Sequence, residues 1–192
     1  MALLGHLQGI PLAIVMTGSH MRKTRMSVNN YLKFYEQSWH RLQSHANPGR
    51  EHYQGNLHQT LFLSFDAIRK RDAYMAEMLI LLAHFDNRDI WYELVKSVEH
   101  SSSQPMWFTE VLSDRLIFKE RMRTLIEFSL IGVNKETGSY TMHRLVQDWC
   151  LNMARTENDV INSPWEDLAL VAIGHMIPAE RNQLIGSYNG GC

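Results

Sequence analysis

Apolar positions along the chain recur mostly at helical spacing, and the period changes only once. From Pro11 to about Lys23 the pattern predicts a helix, with Pro11 in a first turn that has no use for a backbone N–H. Ser27 is the expected N-cap of the next helix, in which Val28, Tyr31, Leu32, Tyr35, Trp39 and Leu42 share a face. Asn47-Pro48-Gly49-Arg50 predicts a loop. After Gly55-Asn56, Leu57, Leu61, Phe65 and Ile68 mark a further helix, and Tyr74, Met75, Met78, Leu79, Leu82 and Phe85 mark another. Asp86 or Asn87 is placed to cap a short helix through Ile90, Trp91, Leu94 and Val95. Ser101 to Pro105 predicts a loop whose proline opens a helix over about Met106 to Leu112.

A helix from Leu116 to about Phe128 follows, and there the period becomes two. Leu130 to Asn134 and Ser139 to Met142 flank Lys135-Glu136-Thr137-Gly138, a four-residue connection containing glycine, which predicts a β-hairpin. Helical spacing resumes through Leu145, Val146, Trp149 and Met153. Ser163-Pro164-Trp165-Glu166 then offers an N-cap, a first-turn proline and a capping-box glutamate for a helix over Leu168 to Met176. The expected class is mainly α, a helical bundle followed by a winged-helix unit with one small β-hairpin.

The 192 residues are 45% hydrophobic, enough for a buried core. Nineteen basic against twenty acidic residues give a net charge of −1, so no general attraction to nucleic acid or anionic lipid is expected, and any partner must be recognised locally. Two cysteines, Cys150 and Cys192, cannot build a disulfide framework, which fits a reducing compartment. Ile10 to Met16 is apolar but too short to span a bilayer, and no basic segment precedes it as in a signal peptide. A cytoplasmic protein with no membrane partner is expected. Both ends read as cuts through a longer protein.

Most enzyme chemistries find no footing. There is no Gly-x-x-x-x-Gly-Lys-Ser/Thr stretch, and no lysine directly follows a glycine, so the nest that cradles phosphates is missing and autonomous NTP hydrolysis is not expected. No Gly-x-Ser-x-Gly elbow supports a hydrolase. Ten histidines invite a metal site, but His40, His45, His52 and His58 lack zinc-ligand spacing, so no metal is expected. Arg115, Lys119, Arg121 and Arg123 would face a phosphate backbone if a winged-helix unit bound DNA. Glu110, Asp114, Glu120 and Glu127 interleave with them and reduce that field.

Two features stand out. Gly9-Ile10-Pro11-Leu12-Ala13 is a glycine-led turn into an apolar helix whose proline offers a flat surface for a planar base, although proline is commonplace at a helix start. His143 lies where the hairpin hands over to a helix, near an N-terminus that suits a phosphate, although a single histidine also serves structure.

Those two features fall in the order of a known set. Gly9-Ile10-Pro11-Leu12-Ala13-Ile14, Leu61-Phe62-Leu63-Ser64-Phe65-Asp66-Ala67-Ile68, Ala83-His84-Phe85-Asp86-Asn87-Arg88-Asp89-Ile90-Trp91 and Tyr140-Thr141-Met142-His143-Arg144-Leu145-Val146-Gln147-Asp148-Trp149 resemble the NB-ARC family of STAND nucleotide switches, including fungal NOD-like receptors, over about Gly5 to Ala154. The resemblance implies a helical ARC subdomain over 5–85 and a winged-helix ARC subdomain over 86–154. It implies 155–192 as a linker and the incomplete start of a tetratricopeptide array, expected to fray on its own because repeats bury their faces on neighbours. It implies an ADP/ATP site drawn from Gly9, Pro11, Leu12, Met142 and His143, with Pro11 against adenine and His143 toward the β-phosphate of ADP. The partners implied are a nucleotide-binding domain carrying the phosphate loop, the tetratricopeptide repeats and an oligomer of the parent, in signal transduction of the innate-immunity type. The parent would be a slow ATPase and this chain a regulatory part with no enzymatic activity of its own.

Arg144 departs from the family's Met-His-Asp motif by placing a permanent cation where a carboxylate is expected. Two other readings stay open: a winged-helix nucleic-acid-binding protein, and a ligand-free interaction adaptor anchored by residues such as Trp107 or Trp165.

Overall fold

A computed structural model of the protein describes residues 2–45, 52–157 and 164–177. The chain is mainly helical with one small antiparallel sheet, as the periodicity predicts. Helix α1 (Ala2–His6) runs into a reversal at Gln8 and Gly9, both at positive φ (51° and 69°), and α2 (Pro11–Thr24) begins with its proline in the first turn. Glycine suits that reversal because φ near +69° strains any residue with a Cβ. Helix α3 (Val28–His45) carries the expected cap, the Ser27 hydroxyl accepting from the Asn30 N–H at 3.3 Å. Helix α4 (His52–Arg71) starts a turn earlier than the Gly55-Asn56 pair suggests. The Asn47–Arg50 loop lies outside the described residues.

Helix α5 (Ala73–Leu82) is the centre of the molecule. Asp72 caps it by accepting from the Met75 N–H at 3.3 Å, and seven of its ten residues are buried. An Ala-Tyr-Met-Ala-Glu-Met-Leu-Ile-Leu-Leu helix is apolar nearly all round, so it must be covered on several sides. It packs against α4, α8 (Arg115–Glu127), α9 (Arg144–Glu157) and α10 (Pro164–Met176). One buried cluster therefore runs across the expected boundary at 85/86.

The expected helix cap at Asp86 or Asn87 is replaced by a turn, in which Asp86 accepts from the Arg88 N–H at 3.0 Å. Ile90 is extended and exchanges two backbone hydrogen bonds with Tyr140 (2.9 and 2.7 Å), so helix α6 (Tyr92–Lys96) starts only beyond it. Pairing on a strand buries the β-branched Ile90 side chain completely, which a helix cap would not. A 3-10 turn (Ser97–His100) and α7 (Met106–Val111) lead to α8.

The hairpin forms as expected: β1 (Ile131–Val133) pairs with β2 (Tyr140–Met142), Ile131 opposite Met142. Asn134 accepts from the Gly138 N–H through its carbonyl and from the Glu136 N–H through its side chain, and Gly138 takes the left-handed conformation that closes the turn (φ 72°). Phe118 of α8 meets Tyr140 edge-on at 5.7 Å, which seats the sheet on that helix.

The expectation that the segment from Ser163 onward frays does not hold for α10. Leu168, Ala169 and Ala172 are buried, and the Ser97 hydroxyl donates to the Ala172 carbonyl at 3.1 Å. Small alanines let α10 approach α6 and the 3-10 turn closely, while Leu170, Ile173 and Met176 of the same helix stay exposed. Ser163 and residues 178–192 lie outside the described residues. Among the described residues no helix is long and apolar enough to cross a membrane.

Candidate functional site

His143 sits between β2 and α9 and caps that helix. Its Nδ1 accepts the Leu145 N–H at 3.1 Å, while its carbonyl accepts from Val146 (2.8 Å) and Gln147 (3.1 Å). A ring nitrogen that accepts a hydrogen bond carries no proton, so in the neutral imidazole the proton is on Nε2. The side chain is exposed, which leaves the Nε2–H as an outward donor beside the positive end of a fourteen-residue helix.

Two residues that sequence reasoning missed hold this junction. Asn87 binds Met142, the residue before the histidine, on both sides: its carbonyl accepts the Met142 N–H at 2.7 Å and its side-chain amide donates to the Met142 carbonyl at 2.9 Å. Gln147, one turn after His143, donates to the carbonyls of Ala83 and Phe85, both at 2.9 Å. Those carbonyls lie at the end of α5, where no intrahelical donor remains. Met142 itself is buried, so its side chain anchors the strand rather than facing a ligand. The available signal was modest: Asn87 stands in the polar run Asp86-Asn87-Arg88-Asp89, and Gln147 between Val146 and Asp148.

At the other expected position, Gly9 and Pro11 are exposed and Leu12 is half-buried. Among the described residues no hydrogen bond, ion pair or ring contact joins the Gly9 to Leu12 turn to Met142 or His143. Helix α2 buries a mixed face. Ala13, Met16, Thr17, Ser19 and His20 are buried, while Pro11, Ile14, Val15 and Gly18, at steps of three and four, are exposed. An exposed apolar stripe opposite a partly polar buried face suits an interface better than open water.

Other candidates resolve into structural roles. Arg115 pairs with Glu93 at 3.4 Å, Arg121 with Asp72 at 2.7 Å and Glu110 at 3.5 Å, and Arg123 with Glu127 at 3.3 Å, so three of the four cations on α8 already meet carboxylates. Trp107 donates to Glu77 at 2.8 Å and stacks on Tyr74, and Trp165 is half-buried against the core. Cys150 is fully buried, which pushes its thiol far up and leaves it unreactive. No group of three or more metal-ligating residues occurs among the described residues.

Residues 66–158 match the family model described as Domain of unknown function (DUF7779). The match begins in the last turns of α4 and takes in α5, the Ile90 bridge, the hairpin and α9, so both clamps on His143 fall within it. Comparison with curated proteins and with solved structures returns no match.

Proposed function

We propose that the chain is the regulatory part of a nucleotide-dependent switch of the NB-ARC type, which helps to hold ADP against a phosphate-loop domain lying outside this sequence. The observation that carries the reading is the capped His143, whose Nδ1 is committed to α9 and whose Nε2–H is left as an exposed donor. That donor suits a phosphate oxygen, and the adjoining helix end adds a favourable field. The succession of α5, the Ile90 bridge, α7, α8 and the hairpin is compatible with a winged-helix unit. The exposed Pro11, Ile14 and Val15 stripe supports a neighbouring domain over α2, with Pro11 toward the base.

In this reading the chain performs no bond-breaking step. Pro11 supplies a flat, donor-free surface, His143 a hydrogen bond to phosphate, and Asn87 and Gln147 keep the histidine in place. Switching comes from the difference in these contacts between ADP and ATP states. Arg144, 82% exposed and 3.8 Å from Asp148, places a cation where the resembling family has a carboxylate, so the closed state is held without a carboxylate at this position.

The test is ADP calorimetry on the chain fused to a phosphate-loop domain, with His143→Asn. Asparagine is a strong N-cap, so the helix end is kept while the imidazole donor is lost. The expected result is ADP affinity lower by about tenfold or more, since a hydrogen bond to a charged group contributes about 1.5–3 kcal/mol. Unchanged affinity in a folded fusion would remove His143 from the site. No ATP turnover is expected of the chain by itself.

A further inference from the structure

The near-neutral composition conceals an uneven distribution of charge. Segments 22–25, 69–71 and 121–123 carry eight of the nineteen Lys and Arg residues, and the fold brings the ends of α2, α4 and α8 that carry them together. Glu127, at the end of α8, is the meeting point. Lys23 of α2 forms an ion pair with it, and Arg123 reaches it at 3.3 Å from its own helix. Arg71 of α4 stands close enough to act with these two in holding the Glu127 carboxyl below its usual range, the Lys23 contact being the largest cause. Arg22 completes the group: it donates to the Ser19 hydroxyl at 3.0 Å, which meets the Ser129 hydroxyl at 2.7 Å, two residues beyond Glu127.

Three cations from three helices thus act on one carboxylate, with Arg22 beside them on α2. Among the described residues the ion pairs of Lys23 and Arg123 go to Glu127 alone, while nearby Asp66 and Asp72 pair with Lys70 and Arg121. Cations collect at helix C-termini for an ordinary reason, but three helix ends supply only about −1.5 elementary charges. Glu127 adds one more, and the exposed Arg25 just past α2 adds a further cation. A positive excess therefore remains.

We propose that this junction binds the phosphodiester backbone of a nucleic-acid duplex. Helix C-termini present carbonyls rather than N–H groups, so the surface cannot enclose one phosphate in a nest of backbone donors, whereas separate guanidinium groups suit phosphates spaced along a strand. The exposed Tyr74 is already stacked on Trp107 at 5.3 Å, so it offers unpaired bases no free platform. The footprint differs from the α8 set suggested by sequence, because Arg115 and Arg121 meet carboxylates other than Glu127, Arg123 shares Glu127 with Lys23, and the added cations come from α2 and α4. It does not rest on the role of His143.

The test is fluorescence anisotropy of the 192-residue chain with a labelled DNA duplex as salt is raised. Four phosphate contacts predict a log–log salt slope of about −3.6. Replacing Arg22, Arg71 and Arg123 together by Gln is expected to weaken binding by more than about tenfold and to flatten the slope by about three. Glu127→Gln removes the competing carboxylate and is expected to tighten binding, an effect opposite to that of a merely destabilised protein. Replacing the exposed Lys33 and Lys135 by Gln serves as the control and should change little. The proposal is overturned if the folded chain does not bind duplex at low salt, if the control weakens binding as much as the triple variant, or if Glu127→Gln binds no tighter. Preference for phosphatidylserine vesicles over duplex would overturn it in favour of a membrane surface.

Discussion

Among α2, α3 and α4 the buried residues mix Met16, Tyr31, Leu61, Leu63 and Ile68 with Thr17, Ser19, His20, Ser38, Gln59, Thr60 and Ser64, whereas behind the hairpin the interior is built from Phe108, Val111, Leu112, Phe118, Met122, Leu125 and Phe128. Seven of the nine buried polar residues among those described belong to the first region. Some are well matched, such as the Thr17 and Tyr31 hydroxyls at 3.2 Å. Others are not: His20 Nδ1, Gln59 Oε1 and Ser64 Oγ have no hydrogen-bonding partner among the described residues. Buried polar groups cost free energy unless paired, so the first region is held less firmly per buried residue than the second. The contrast separates two tasks. The dry region fixes the hairpin and, through Asn87 and Gln147, the position of His143, while the more polar region carries α2 with its exposed apolar stripe.

The largest effect expected from breaking this contrast is in the dry region. Phe118 is fully buried between Tyr92 and Tyr140, and Phe118→Ala should cost about 3–5 kcal/mol in urea unfolding. Tyr31→Phe, which removes only the hydroxyl that meets Thr17, should cost about 1 kcal/mol. Similar losses for both would mean that the polar seam contributes as much as the aromatic core.

The next effect depends on pH and belongs to the polar region. Burial among Tyr31, Phe34 and Phe128 lowers the His20 pKa from 6.5 to about 4, with Asp66 opposing the shift. The unfolded chain therefore takes up a proton near pH 6.5 while the folded protein stays neutral until about pH 4. Stability should fall as pH drops through that window and level off below it, by about 3 kcal/mol in total at 1.36 kcal/mol per unit. His20→Leu should remove this part of the slope, measured as the difference between the urea midpoints of the two proteins from pH 7 to pH 4. A constant difference across that range would show that His20 does not titrate as its burial implies.

Much of this architecture was legible because most helices bury a repeating face, and the change to a period of two at Leu130 located the hairpin and, with it, the junction at His143. The extended Ile90 was not legible. Its neighbours Trp91, Leu94 and Val95 suit a helix, and only Tyr140, fifty residues later, supplies the backbone partner. The Asn87 clamp was hidden for the same reason, since it depends on a pairing across 55 residues. The basic junction was hidden by mixing: along α8 acids and bases interleave, but in space Arg121 is neutralised while Arg123 meets cations from two other helices. Likewise α10 carried a sound start signal, and its docking depended on small residues fitting against Ser97.

A change smaller than His20 but aimed at the site is Asn87→Ala. It leaves the Met142 carbonyl without its side-chain donor and should cost about 1–2 kcal/mol. Amide exchange should quicken at Met142 and Leu145 more than in α4, because the hairpin-to-helix junction loosens first. Equal acceleration throughout would mean that the clamp supports the whole core rather than the position of His143.

The smallest expected effect is at Arg144, where two weak terms oppose. Its pairing with Asp148 one turn later contributes about 0.2–0.5 kcal/mol at most for such a surface pair. A cation in the first turn of α9, however, meets the positive end of the helix, which costs about 0.3–1 kcal/mol. Arg144→Ala should therefore change stability by less than about 0.5 kcal/mol in either direction, seen as little movement of the urea midpoint. A near-zero result fits a residue facing solvent or a ligand, so that any large effect of the same substitution on ADP affinity in the fusion would report on the site alone. A loss of several kcal/mol would instead tie Arg144 to the core, and such an effect on affinity could no longer be read separately from folding.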